Sequence, residues 1–156
     1  MVRKGLGLEE FHLLGHSWGG MIAIEYALAY QGHLKGLILS NTTAATLSPV
    51  EHIKKLRNAL PKDVISLFDK YERAGQFEAP EYQKAVVEQF YTRHLCRLNP
   101  WPEPVERVLR NMNPKIGTYM FGPNEIIVTG TLKDWNRWGD LPKIQTKSLL
   151  IGAKYD

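Results

Sequence analysis

The stretch LLGHSWGGM, residues 13–21, sets Ser17 among glycines, after one apolar run and before a longer one. A serine hydroxyl attacks a carbonyl only when a base removes its proton and an acid holds that base in the correct tautomer. What this spacing offers first is geometry. A strand that ends in a very sharp turn into a helix pushes the serine side chain outward in a strained backbone conformation, and Gly15, Gly19 and Gly20 supply the small residues such an elbow needs. The helix that follows directs its positive end and opening amides at the serine oxygen, and the amide of Trp18 is placed to donate to an oxyanion. The alternative is a glycine-rich turn in which Ser17 only caps a helix.

For this kind of turn the chain order is serine, acid, histidine. Asp156, in GAKYD, follows the apolar run SLLIG (148–152) and fits a triad carboxylate; the alternative is an exposed terminal aspartate. All five histidines, His12, His16, His33, His52 and His94, precede Asp156, so none stands in the order expected of the base. His16 adjoins Ser17, but neighbours around such a turn point different ways, so it is expected to shape the elbow.

The elements that must position these groups fall into three segments. In the first, FHLLG (11–15) reads as a strand, WGGMIAIEYALAY (18–30) as a helix and LKGLILS (34–40) as a second strand, with Gly32 stopping the helix. The helix has Glu25 as its only charge and is apolar on nearly every side, which predicts burial. Strand, helix and strand within about 30 residues make a parallel βαβ unit, which implies a covered sheet. The second segment, 48–138, is helical. SPVEHIKKLRNAL opens with Ser48 as cap and Pro49 at the first helical position, and PKDVISLFDKYERAG runs from Pro61 to Gly75. APEYQKAVVEQFYTRHL gives a third helix with Val86, Phe90, Val87 and Tyr91 on one face. After the breaker-rich NPWPEP, VERVLRNMN and PKIGTYMFG read as short helices. The third segment, 139–156, adds the strand at 148–152. The expected fold is therefore α/β, a partial sheet domain (1–47 and 139–156) interrupted by a helical cap (48–138).

Composition bounds the function classes. The chain has 156 residues, 44% hydrophobic and 23% charged, the profile of one globular domain. Its 20 basic and 16 acidic residues give a net charge of +4, but the basic residues are scattered, so no nucleic-acid partner is expected. Cys96 is the only cysteine, which excludes an intrachain disulfide and a cysteine metal cluster. It reads as a structural thiol. MVRKGLGLEE has no apolar core long enough for a signal peptide, and no stretch approaches the ~20 apolar residues of a membrane span, so the expected location is cytoplasmic with no membrane partner.

Taken together, GHSWGG, YQGHLKGLILS, PEYQKAVVEQFYTRHL, GPNEIIVTGTLKDW and GAKYD resemble the proline iminopeptidases of the α/β-hydrolase superfamily, including the tricorn-interacting aminopeptidase type. The resemblance covers essentially the whole chain. It implies a partial α/β-hydrolase fold with an inserted helical cap and a cytoplasmic serine peptidase acting on peptides with a free N-terminus, without metal or organic cofactor. By the same resemblance Ser17 is the nucleophile, Trp18 gives an oxyanion amide, Asp156 is the triad acid, and Glu125, in GPNE, holds the substrate's α-amino group. A carboxylate in a partly dry pocket suits an ammonium through a charge-assisted hydrogen bond. Tyr119, Phe121 and Trp135 could wall a pocket for a proline ring or pack in a core. The family also has a glycine-rich HGGPG-like loop, a second glutamate directly after the triad aspartate and a later catalytic histidine, none of which occurs here. The chain is therefore expected to be an internal fragment of little or no activity, exposing a sheet edge and prone to self-association. A generic ester or amide hydrolase and a non-catalytic binding module are the rival functions.

Overall fold

The computed structural model describes residues 2–124 and 126–154. After a short helix α1 (Val2–Gly5), the run Phe11–His16 forms strand β1, and Ser17 turns the chain into helix α2 (Trp18–Tyr30). A 3-10 turn over Gln31–His33, containing Gly32, leads into strand β2 (Leu34–Ser40). The two strands pair in parallel, with Leu13 opposite Leu37 and Gly15 opposite Leu39. Strand β3 (Ser148–Ile151) joins the other side of β2, also parallel, with Ser40 opposite Ile151. Parallel neighbours require crossover connections; α2 provides the first and residues 41–147 the second.

Strand alternation sends Leu13, Leu37 and Leu39 to one face, where α2 lays Ala23, Ile24 and Ala27 against them. Ala44, Trp135, Leu141 and Ile144 complete this cluster. The all-round burial expected of α2 does not occur: Ile22 is 52% and Tyr30 59% exposed. The reason is that only one side of the helix meets the sheet. Leu14 and Leu149, in register on either side of Ile38, are exposed as well, and so is Leu150, opposite Leu39; among the described residues one face of β1 and β2 is covered and β3 is exposed on both, with β1 and β3 as the sheet edges.

The helical stretch comprises α3 (Leu47–Asn58), α4 (Lys62–Arg73), α5 (Pro80–Ala85), a π-helical segment (Val86–Tyr91), α6 (Thr92–His94), α7 (Glu103–Asn111) and α8 (Pro114–Met120). α3 begins before Ser48, which lies inside its first turn instead of capping it. Gly75, at φ 65°, follows α4 in the left-handed conformation that ends many helices. The third helix expected over 79–95 is three consecutive pieces. The wider π spacing accompanies a change of face: Val86 and Phe90 are buried, Tyr91 is half-buried and Val87 is exposed. Phe68 and Tyr82, both fully buried and in edge-to-face contact at 5.5 Å, centre a core completed by Leu60, Val86, Phe90 and Ile126.

Contacts divide the described chain into a sheet unit, 2–46 with 135–154, and a helical unit, 47–134. Residues 135–138 therefore group with the sheet. Ala45 and Asn136 form an antiparallel bridge, Thr46 N donates to Trp135 O at 2.9 Å, and Arg137 N donates to Ala44 O at 2.7 Å.

Candidate active site

Ser17 sits between the last residue of β1 and the first of α2, at φ 50° and ψ −123°. That region is sparsely populated for a residue with a Cβ and costs on the order of 1–3 kcal/mol, so the surroundings must enforce it. They do so through the backbone. Ser17 N donates to Ser40 O at 3.0 Å, extending the β1–β2 ladder by one bond. Ser17 O accepts from Gly20 N at 2.9 Å and from Thr42 Oγ1 at 2.7 Å. Among the described residues, the Ser17 hydroxyl makes no capping hydrogen bond to α2, and the residue is exposed. A capping serine would commit its oxygen to an α2 amide; this one leaves it available.

The glycines divide by role. A Cβ on Gly15 would collide with the Gly19 carbonyl oxygen and come within 2.6 Å of the Gly20 Cα, and one on Gly20 would collide with the Thr42 side chain. Gly19 differs: a Cβ there meets nothing within 4 Å, so the clearance expected of all three glycines falls on Gly15 and Gly20. Trp18 is the first residue of α2, and its amide belongs to the opening turn at the positive end of the helix. Thr42 was missed by sequence reasoning. Its signal was available in SNTT directly after β2, where Asn41 takes a positive φ of 42°.

The carboxyl ends of all three strands lie level, with His16 opposite Ser40 and Ser40 opposite Ile151, and Asn41 N donates to Ile151 O at 2.8 Å. Ligand sites of parallel sheets gather at that end. Asp156, the expected acid, and Glu125, the expected amine-binding residue, lie outside the described residues. The histidines are placed as follows: His12 packs over Gly36, His16 is exposed at the end of β1, His33 Nδ1 is 3.2 Å from Glu9 O, and His94 contacts the Phe90 ring at 4.8 Å. His52 lies within α3.

Glu25, the one charge of α2, accepts from Trp135 Nε1 at 2.6 Å and from Arg137 Nε and Nη2 at 2.7 and 3.1 Å. The Arg137 hydrogen bond, joined by that of Trp135, holds its carboxyl below the usual glutamate range despite burial. Trp135 therefore packs in the sheet unit's core as a partner of Glu25, whereas Tyr119 is 69% exposed and Phe121 half-buried in the helical unit.

The segment around GPNE is tightly tied within the helical unit. Phe121 O accepts from Thr129 N and Gly130 N, both at 2.7 Å, closing a loop. Gly122 takes φ 127°, and a Cβ there would lie 2.6 Å from Ile127 O. Asn124 Oδ1 accepts from Ile126 N and Ile127 N, each at 3.0 Å, the kind of side chain-to-backbone bond that Asn forms a few residues on. Asn124 Nδ2 donates to the Tyr82 hydroxyl at 2.9 Å. Burial, against the hydrogen bond from Asn124, pushes the Tyr82 phenol up to about 12. Among the described residues no three metal-ligating side chains gather, and no helix is long and apolar enough to cross a membrane.

Against known proteins, a family model described as the alpha/beta hydrolase fold matches residues 1–156. A proline iminopeptidase of Saccharolobus solfataricus is 42% identical over 156 residues, covering 99% of this chain and 50% of that protein. Among solved structures, that of VinJ superposes with a TM-score of 0.93 at 34% identity, over 99% of this chain and 53% of the other. The crystal structure of proline iminopeptidase from Mycobacterium smegmatis gives 0.84 at 36% identity, over 99% and 52%. The chain spans about half the length of the curated relatives it matches. With a strained serine between a parallel strand and its crossover helix, and a family model matching from end to end, this chain belongs to the α/β-hydrolase fold family.

Proposed function

We propose that the protein is a serine aminopeptidase that releases an N-terminal residue, proline by preference, through an acyl-enzyme. Ser17 attacks the carbonyl after the first residue of the peptide. The Trp18 amide donates to the oxyanion, Glu125 binds the substrate's ammonium, and Asp156 orients the base. The histidine itself is assigned to the part of the fold that the curated relatives have and these residues do not match. The helical unit is read as the inserted cap. The observation that carries this reading is the Ser17 backbone, φ 50° and ψ −123°, with its oxygen uncommitted to a cap at the carboxyl end of a parallel sheet. Similarity to proteins named proline iminopeptidase supports the substrate class. The reaction needs no metal or organic cofactor, and we assign the protein to the cytoplasm. Self-association through a sheet edge belongs to the same reading, β1 and β3 being the edge strands among the described residues.

The test is made in the full-length gene product, with proline 4-nitroanilide and N-acetylproline 4-nitrophenyl ester as substrates. Glu125→Gln is expected to depress turnover of the free-amine substrate far more than that of the blocked ester. Equal losses would favour a generic ester or amide hydrolase. No hydrolysis of either substrate would favour a binding module.

A further inference from the structure

Both peptide units that flank the Ser17 Cα are held from one place, the end of β2. The His16–Ser17 unit is held through its nitrogen, which donates to Ser40 O at 3.0 Å. The Ser17–Trp18 unit is held through its oxygen, which accepts from Thr42 Oγ1 at 2.7 Å and from Gly20 N at 2.9 Å. The φ and ψ of a residue are rotations of those two units about its Cα, so fixing both fixes the φ 50° and ψ −123° of Ser17. Ser40 does this with its backbone, as any residue could. Thr42 does it with a side chain.

The effect of that side chain extends past Ser17. A peptide unit is planar, and the one between Ser17 and Trp18 is trans, so its C=O and its N–H point in opposite directions. Gly20 and Thr42 hold the carbonyl end, and the direction of the Trp18 N–H follows from it. One donor alone permits the unit to tilt about that bond; a second, arriving from a different element, does not. Donation to the carbonyl also polarises the amide and strengthens its N–H as a donor. Thr42 is itself closely held. A Cβ on Gly20 would collide with the Thr42 side chain, so the glycine lets the threonine come this close, and a β-branched residue has few χ1 positions to choose from. Asn41, at φ 42° with its amide on Ile151 O at 2.8 Å, delivers Thr42 to this place.

We propose that Thr42 is a positioning residue for the oxyanion: through the Ser17 carbonyl, its hydroxyl aims the Trp18 amide at the oxygen that becomes negative during acyl transfer. This rests on the reading of Ser17 as nucleophile and of the Trp18 amide as oxyanion donor. Removing an oxyanion donor costs about 100- to 1,000-fold in kcat, and a donor present but loosely aimed keeps part of that, so loss of the Thr42 hydroxyl is expected to cost roughly tenfold. The oxyanion exists only on the way across the barrier, which places the loss in kcat.

The experiment uses the full-length gene product with Thr42→Val, which keeps the shape and removes the hydroxyl, Thr42→Ala, Thr42→Ser and Ser17→Ala. Thermal unfolding is the fold control. Thr42→Val should lower kcat about tenfold on both proline 4-nitroanilide and N-acetylproline 4-nitrophenyl ester, with KM within about twofold of wild type. Thr42→Ser restores the donor and should recover most of that rate. Pyrrolidine-2-boronic acid forms a tetrahedral adduct on serine with an oxygen where the oxyanion develops; it should bind Thr42→Val about tenfold more weakly, while inhibition by L-proline is unchanged. Thr42→Ala should repeat these results, and it decides the matter if Thr42→Val does not fold. An unchanged kcat, a loss confined to KM, a Thr42→Ser variant as slow as Thr42→Val, or equal weakening of boronate and proline would overturn the proposal. If Ser17→Ala abolishes hydrolysis while the Thr42 variants keep the wild-type kcat, the positioning role alone fails. If Ser17→Ala keeps its activity, or the wild type hydrolyses neither substrate, the nucleophile reading fails and takes the proposal with it.

Discussion

The two units bury their apolar side chains in opposite styles. In the helical unit the largest rings, Phe68 and Tyr82, are fully enclosed, and even the Arg57 cation is mostly buried against Asp69 and Glu72. In the sheet unit, burial is one-sided: Leu37 and Ile24 are 1% exposed where α2 meets the strands, while Leu14, on the other face of the sheet, is 60% exposed. The sheet unit instead concentrates its backbone contacts at one turn, where Ser40 and Thr42 hold Ser17 in its strained conformation. The lesson is a division of labour. One unit encloses its packing, and the other uses close backbone contact to hold a strained turn.

The sharpest way to break this contrast is to hollow out the helical core. Phe68→Ala removes a fully buried ring and should cost about 3–5 kcal/mol, read as loss of amide protection across 47–134, while the β1–β2 amides keep theirs. Equal loss in both units would show that the division is not energetic. The elbow glycines sharpen the other side. Gly20→Ala drives a Cβ into Thr42 and should destabilise by about 1–3 kcal/mol, whereas Gly19→Ala, with open space and a helical position, should stabilise by about 0.5–1 kcal/mol. Denaturant melts of the two variants decide it, and matching signs would refute the assigned clearances.

The smallest effect is that of pH on the sheet unit. The folded-state pKa of Glu25 is depressed below its usual 4.5, so its ionised form contributes stability that is complete above the unfolded value and is lost as the pH falls through the folded one. Its side chain is 42% exposed, so solvent screening keeps the contribution small. Glu25→Gln should flatten the acid limb of the β2 amide protection profile below pH 4.5 and leave neutral pH nearly unchanged. An unaltered acid limb would remove Glu25 from the account.

Much of the sheet unit was legible because its signals are local. The apolar run at 11–15, the glycines around Ser17 and the run 34–40 mark β1, the elbow and β2 within a residue of where they lie. The uniform apolarity of α2 misled, since a helix without a polar face gives no sign of which side meets the sheet. Trp135 was placed with the helices because nothing in a linear string shows its indole bonding Glu25 across 110 positions. The Tyr82–Asn124 bond spans 42 positions and is invisible for the same reason. Break points inside helices are subtler: no proline or glycine between 81 and 94 announces the π-helical segment.

Backbone strain at residue 17 leaves its oxygen uncommitted to a helix cap, and the proposed nucleophile role requires that this oxygen be the one that reacts. The most direct test of that role is treatment of the full-length gene product with a fluorophosphonate probe, followed by peptide mapping by mass spectrometry. A single adduct on Ser17, absent from Ser17→Ala, is the predicted result. An adduct on another residue, or labelling that survives Ser17→Ala, would contradict it.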